Sequence, residues 1–158
     1  MKTKILSVML AVAALSAASC SKPAQEPTLP AEAAYVGDLS VIEIAGALYE
    51  QKDVHVSYEL ADDGTLSIRM KDVSFSAQMP VKLSLMVLSD VPYVRHGSTL
   101  TLSLSGTDII PQMEMRGELV PYERYLCTDL TGTINPEKMV LSMKLGGFQT
   151  DYSGDYRE

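Results

Sequence analysis

Ser98-Thr-Leu-Thr-Leu-Ser-Leu-Ser105 carries an apolar side chain at every second position, and Asp53-Val-His-Val-Ser-Tyr-Glu-Leu60 repeats the pattern. Successive side chains of an extended strand point to opposite faces. The pattern therefore puts Leu100, Leu102 and Leu104 on one face, and Val54, Val56, Tyr58 and Leu60 on another. A helix would scatter the same side chains around its circumference. Between these stretches Leu66, Ile68 and Met70 alternate with Ser67, Arg69 and Lys71. Val81, Leu83, Leu85 and Val87 then alternate with Lys82, Ser84, Met86 and Leu88, and Met139, Leu141, Met143 and Leu145 with Ser142 and Lys144. Half-buried antiparallel strands follow.

The punctuation agrees. Ala61-Asp-Asp-Gly-Thr65 separates two alternating runs, and Gly64 suits the left-handed position of a short hairpin loop. Asn135-Pro-Glu-Lys138 offers a proline already set for a type I turn. About eight strands are expected, near 36–45, 52–60, 65–75, 80–88, 98–105, 111–119, 126–134 and 138–146, with a short extension at 148–152. In the first of these Val41, Ile42, Ala45, Leu48 and Tyr49 also fit a helical face. Consecutive strands without crossover helices predict an all-β, antiparallel up-and-down sheet, closed into a barrel so that no edge is left to aggregate.

The chain has 158 residues, 46% of them hydrophobic, which suits one compact domain. Its formal charge of −7 excludes a general nucleic-acid binder, which needs a basic face, and electrostatic adhesion to an anionic membrane. Ahead of the strands, Met1 to Lys4 is basic, Ile5 to Leu15 is apolar and Ser16 to Ser19 are small, the pattern of a cleavable export signal over 1–19. The segment Leu15-Ser-Ala-Ala-Ser-Cys20 resembles the lipobox of bacterial lipoproteins, with Ala17 where Leu is usual. The resemblance implies acylation of Cys20 and an outer-membrane anchor, its periplasmic or cell-surface face left open; multiple acyl chains would hold such a protein almost permanently. Residues 20–33 then read as the lipidated cysteine and a tether containing Pro23, Pro27 and Pro30, of about 20 Å if flexible, and 34–158 as the folded domain. Cys127 is left without an intramolecular partner and reads as a small buried hydrophobe.

Tyr35-Val-Gly-Asp-Leu-Ser-Val41, Val54-His-Val56, Asp63-Gly-Thr65 running into Leu66 to Phe75, and Thr131-Gly-Thr-Ile134 ahead of Lys138 to Leu145 resemble the calycin-like domain of lipoproteins from Bacteroides and its relatives. The similarity covers nearly the whole chain after the signal. It implies a small lipocalin-like barrel on the outer membrane and carries no chemistry with it. The stretches Asp90-Val-Pro-Tyr-Val-Arg95 and Ile110-Pro-Gln-Met-Glu-Met115 depart from that pattern and leave the pairing of the middle strands open.

No catalytic motif is present: there is no Gly-x-Ser-x-Gly, no His-Glu-x-x-His, no paired cysteines at metal spacing and no phosphate-cradling glycine loop. His55 lies on the polar register of its strand and His96 at a hairpin tip, and Glu114 and Glu118 read as a solvated face. No enzyme, metal or cofactor is expected. Seven methionines follow Cys20, and Met is adaptable enough to line an apolar pocket or fill a core. An eight-stranded barrel either fills itself or holds one small ligand. Met70, Leu83, Leu85, Leu102, Met139 and Met143 are the candidate lining for a small apolar or amphipathic molecule. The alternative is a protein or glycan partner taken by loops and by Tyr93, Tyr122, Tyr125, Tyr152 and Tyr156, since aromatic rings stack on sugars and carry a polar handle.

Overall fold

A computed structural model describes residues 28–43, 45–104 and 106–158. The expected export signal, Cys20 and the expected tether up to residue 27 lie outside the described residues. The strands are β1 (Glu32–Ile42), β2 (Leu48–Leu60), β3 (Thr65–Val73), β4 (Leu83–His96), β5 (Thr99–Ser103), β6 (Gln112–Met115), β7 (Glu118–Pro121), β8 (Cys127–Ile134), β9 (Lys138–Leu145) and β10 (Phe148–Arg157). Eight of them form a ring in the order β1-β2-β3-β4-β5-β8-β9-β10, each antiparallel to its neighbours, and β10 returns to β1. The fold is all-β, a closed up-and-down barrel of the lipocalin or calycin type. Closure removes the free edges from the ring. The β6–β7 hairpin pairs with the first half of β4 and turns Met113 into the core, and its outer strand is short and ends in Pro121.

The wall differs from the alternation pattern in five places. The first segment is the expected strand, but it runs Glu32–Ile42 in place of 36–45. It starts at Glu32, ahead of the Ala34 boundary, because the chain before it is already docked on the barrel. The 80–88 strand continues to His96, so Asp90 to Arg95 is its second half. The 111–119 segment is two strands broken at Arg116-Gly117, and the short extension at 148–152 is the ten-residue strand that closes the barrel. Finally, the inner face of β4 is the opposite of the one expected. Met86 faces Met70 and Leu88 faces Ile68, all buried, while Leu85 faces the exposed Lys71 and belongs to the outside. Both parities of 83–88 are apolar, so alternation alone had no means of choosing between them.

The two ends of the barrel are built differently. At the end where β2 meets β3 and β8 meets β9, residues 29–31 cross the opening as a strap. Leu29 is buried in the core, the Tyr58 hydroxyl donates to the Pro30 carbonyl at 2.9 Å, and the Leu60 amide donates to the Ala31 carbonyl at 2.7 Å. Tyr35 closes the same end by donating to the Asn135 carbonyl at 2.8 Å, with its ring 6.3 Å from Tyr58 and edge-on to Tyr156 at 5.9 Å. This end is sealed.

Candidate functional site

The opposite end is open. There the connections that follow β1, β3 and β7, with the first residues of β4 and β10, line a concavity of about 570 Å³. That volume lies within the range of small-molecule sites. Its wall carries four rings: Phe75, Tyr122, Tyr125 and Phe148. Both phenylalanines of the chain are among them. Met79, Leu83, Pro80 and Ala45 complete the apolar lining, and Glu43 and Arg124 supply one charge of each sign.

Local structure explains how these side chains converge. Between β7 and β8 the chain makes a 3-10 turn at Glu123–Tyr125, held by Tyr125 N–H to the Tyr122 carbonyl at 3.3 Å and Leu126 N–H to the Glu123 carbonyl at 3.0 Å. Three residues per turn put positions i and i+3 on the same side, so Tyr122 and Tyr125 lie together with their centroids 5.8 Å apart. The β9–β10 turn packs directly on this segment. Gly146 N–H donates to the Leu126 carbonyl at 3.0 Å, its φ is +59°, and a Cβ there would strike the Arg124 carbonyl. A glycine is required, and it delivers Phe148 to the rim. Between β3 and β4 a turn is closed by Met79 N–H to the Ser76 carbonyl at 3.2 Å, with the Ser74 hydroxyl donating to the same carbonyl at 2.9 Å.

The floor of the mouth is closely packed. Phe75 and Tyr125 are both buried, with ring centroids 5.0 Å apart. Burial holds the Tyr125 phenol above its ordinary range, more than the nearby Arg124 charge lowers it, so the hydroxyl stays a donor. It points to the Met79 sulfur at 3.6 Å. The Arg124 guanidinium carbon lies 6.0 Å from the Tyr125 ring centroid, at the outer limit of a cation–π contact. Beneath this layer Cys127 is fully buried; burial, and secondarily Asp108, pushes its thiol up to about 12. A thiol held protonated is no nucleophile.

The residues singled out from the sequence are divided by the fold. Met70, Leu102, Met139 and Met143 are fully buried in the packed interior, where Met70, Met86 and Met113 sit side by side across β3, β4 and β6. Leu83 lines the mouth, and Leu85 is half-buried on the outer face. This chain matches no family model, no curated protein and no solved structure. Of the five tyrosines, only Tyr122 and Tyr125 meet at the mouth. Tyr152 is in the core and donates to the Val54 carbonyl at 3.2 Å, and Tyr156 is at the sealed end. They form no single patch. His55 and His96 are both exposed, and the Glu114 carboxylate accepts from Ser84 at 3.0 Å on the outer surface. Sequence reasoning passed over Phe75, Phe148 and Arg124. The available signal was Pro121-Tyr-Glu-Arg-Tyr125, a stretch without period two, holding two rings between two alternating segments.

Proposed function

We propose that this protein is a lipid-anchored binding module of the bacterial outer membrane, related to calycin-like lipoproteins, whose open barrel mouth takes a small amphipathic molecule. One observation carries the reading: four rings and one charge of each sign converge on a concavity of about 570 Å³, while the other end is sealed. The bound molecule lays its apolar part against Phe148 and Tyr122, and its polar groups turn outward to Arg124 and Glu43. Rings contribute most of the affinity in such sites, through area and stacking geometry. The protein acts by binding and not by catalysis.

The strap supports the same reading. Leu29 is docked at the sealed end, and eight residues separate it from Cys20, so covalent length alone keeps the two within about 30 Å. An acylated Cys20 thus holds the sealed end toward the lipid. The mouth then stands off by a further barrel height, roughly 25 Å for tilted strands of this length.

Native mass spectrometry of protein purified from its own host tests the proposal. A retained molecule of low mass is expected, and Phe148→Ala or Tyr122→Ala should weaken its retention about tenfold, the effect of one lost ring contact. Protein that emerges with no adduct, and that binds neither small amphiphiles nor glycans in a screen, defeats it; binding to a glycan array abolished by Tyr122→Ala instead places a sugar partner at the mouth. Separately, Cys20→Ala should release the protein from membranes, and unchanged membrane association sinks the anchor.

A further inference from the structure

Met79 is the one methionine placed to be both a structural tie and a chemical target. Its sulfur accepts the Phe75 backbone N–H at 3.2 Å and the Tyr125 hydroxyl at 3.6 Å. These contacts fasten the segment between β3 and β4, which forms one side of the mouth, to the floor beneath it. Met79 is half-buried and faces the concavity. Met70, Met86, Met113, Met139 and Met143 are buried in the core. Met115 is exposed on the β6–β7 hairpin and fastens nothing among the described residues.

We propose that Met79 is a sulfoxidation site for peroxide, and that its oxidation releases the segment between β3 and β4 from the mouth. In the reaction a lone pair of Sδ attacks one peroxide oxygen, the S–O bond forms as the O–O bond breaks, and the proton of the transferred oxygen passes to the departing one, which leaves as water. Sulfur is oxidised by two electrons and the peroxide is reduced by two, so no further reactant is needed. Methionine sulfoxide is polar and is reversible by dedicated reductases.

Geometry dictates the consequence. A hydrogen bond from N–H to oxygen itself needs about 2.7–3.2 Å. The present N···S separation is 3.2 Å, so no oxygen fits between the Phe75 nitrogen and the sulfur. An oxygen placed toward Tyr125 meets the same obstacle at 3.6 Å. One placed toward the core desolvates a strong dipole among Phe75, Tyr125 and Leu83. Both acceptor directions of the sulfur are engaged, so an oxygen added along either one pushes the sulfur off its donors toward the concavity, and the turn holding Met79 goes with it.

The full-length protein, folded and exposed to dilute hydrogen peroxide, provides the test. Peptide mapping should show Met79 and Met115 oxidised first, each at least tenfold faster than Met70 or Met143. Amide exchange at Phe75, followed by NMR, should accelerate at least tenfold in step with Met79 oxidation. Met115→Leu should leave that response intact. Met79→Leu, which keeps the bulk but accepts no hydrogen bond, should show the fast exchange before oxidant and no change after it. Two results would overturn the proposal: Met79 oxidising no faster than the core methionines, or Phe75 exchange unmoved once Met79 is oxidised. Should Met79→Leu fail to fold, the wild-type and Met115→Leu measurements decide alone. None of these readouts depends on what the mouth binds.

Discussion

At the scale of single residues, the seam that closes the barrel is controlled by two glycines and one tyrosine. Gly37 of β1 faces Gly154 of β10, and the Tyr152 ring lies over Gly154 to reach the Val54 carbonyl. A Cβ at Gly37 would collide with the backbone of Ser153 and Gly154, neither of which can step aside without opening the β1–β10 ladder. Gly37→Ala should therefore cost about 3 kcal/mol or more in denaturant unfolding. Gly64→Ala, with open space around it but a φ of +85°, should cost only about 1 kcal/mol. Equal losses would mean that the β1–β10 ladder yields to the added methyl, since Gly37 has no left-handed φ. Gln51 works by a different principle. Its side chain is 8% exposed, its Nε2 donates to the Asp72 carbonyl at 2.7 Å and its Oε1 accepts the Ser74 amide at 2.9 Å. The β2–β3 ladder ends at His55 and Lys71, so this one side chain continues the pairing that the backbones have given up. Gln51→Ala leaves the buried Ser74 amide unmatched and frees the part-buried Asp72 carbonyl, a loss of about 1–3 kcal/mol. Gln51→Glu should recover little of it at neutral pH, because a carboxylate has nothing to donate to the Asp72 carbonyl.

At the scale of elements, three strands bend at aspartates. Asp53, Asp90 and Asp129 have φ of 54°, 59° and 54°, and each sits where its ladder slips by a residue. Each is followed by a buried aliphatic: Val54, Val91 and Leu130. Bulges of this kind bend and twist a strand, and a small barrel needs both to close. Aspartate tolerates the left-handed region better than most residues. Asp90 makes no ion pair among the described residues, so it isolates the backbone effect. Asp90→Gly should stay within about 0.5 kcal/mol of wild type, and Asp90→Val should lose about 1–2 kcal/mol of unfolding free energy. A Val variant as stable as wild type would show that the bulge relaxes freely. These bulges also mark the limit of what was legible in the sequence. Strict alternation located Val54 to Tyr58, Leu66 to Met70 and Leu100 to Leu104 on the inner face, because one face of each is polar and the period is unbroken. It failed in β4, where both faces are apolar and the bulge at Asp90 changes the parity so that Val91 follows Leu88 inward. It undervalued β10, whose Thr150, Tyr152 and Gly154 read as polar or turn-forming although they complete the barrel. The mouth was hardest to foresee, since its rings come from three separate connections and only closure of the ring brings them together.

At the scale of the whole molecule, the interior is held by apolar packing and by phenols that must stay protonated. Tyr35, Tyr58 and Tyr152 each donate to a backbone carbonyl from two separate places in the barrel. Burial raises all three above their ordinary value, Tyr58 to about 12, and it raises the Cys127 thiol to about 12 as well. In the unfolded chain the same groups ionise at their ordinary values of 10.0 and 9.0. A folded-state value above the unfolded one favours the native state fully at pH below the unfolded value, and that contribution disappears as pH climbs toward the folded value. These groups should therefore leave stability unchanged between neutral pH and about pH 9, then withdraw it steeply up to about pH 12. Ionisation of the buried phenols, read by tyrosinate absorbance, should coincide with the loss of near-ultraviolet dichroism, because a phenolate has no proton to offer the carbonyls of Pro30, Asn135 and Val54. Tyr58→Phe separates the two contributions of the hydroxyl. It should lower the melting temperature at neutral pH by the loss of one hydrogen bond, about 1 kcal/mol, while making the alkaline decline shallower. If the decline keeps its full slope in that variant, the strap at the sealed end does not sense Tyr58, and the alkaline sensitivity belongs to Tyr35, Tyr152 and Cys127.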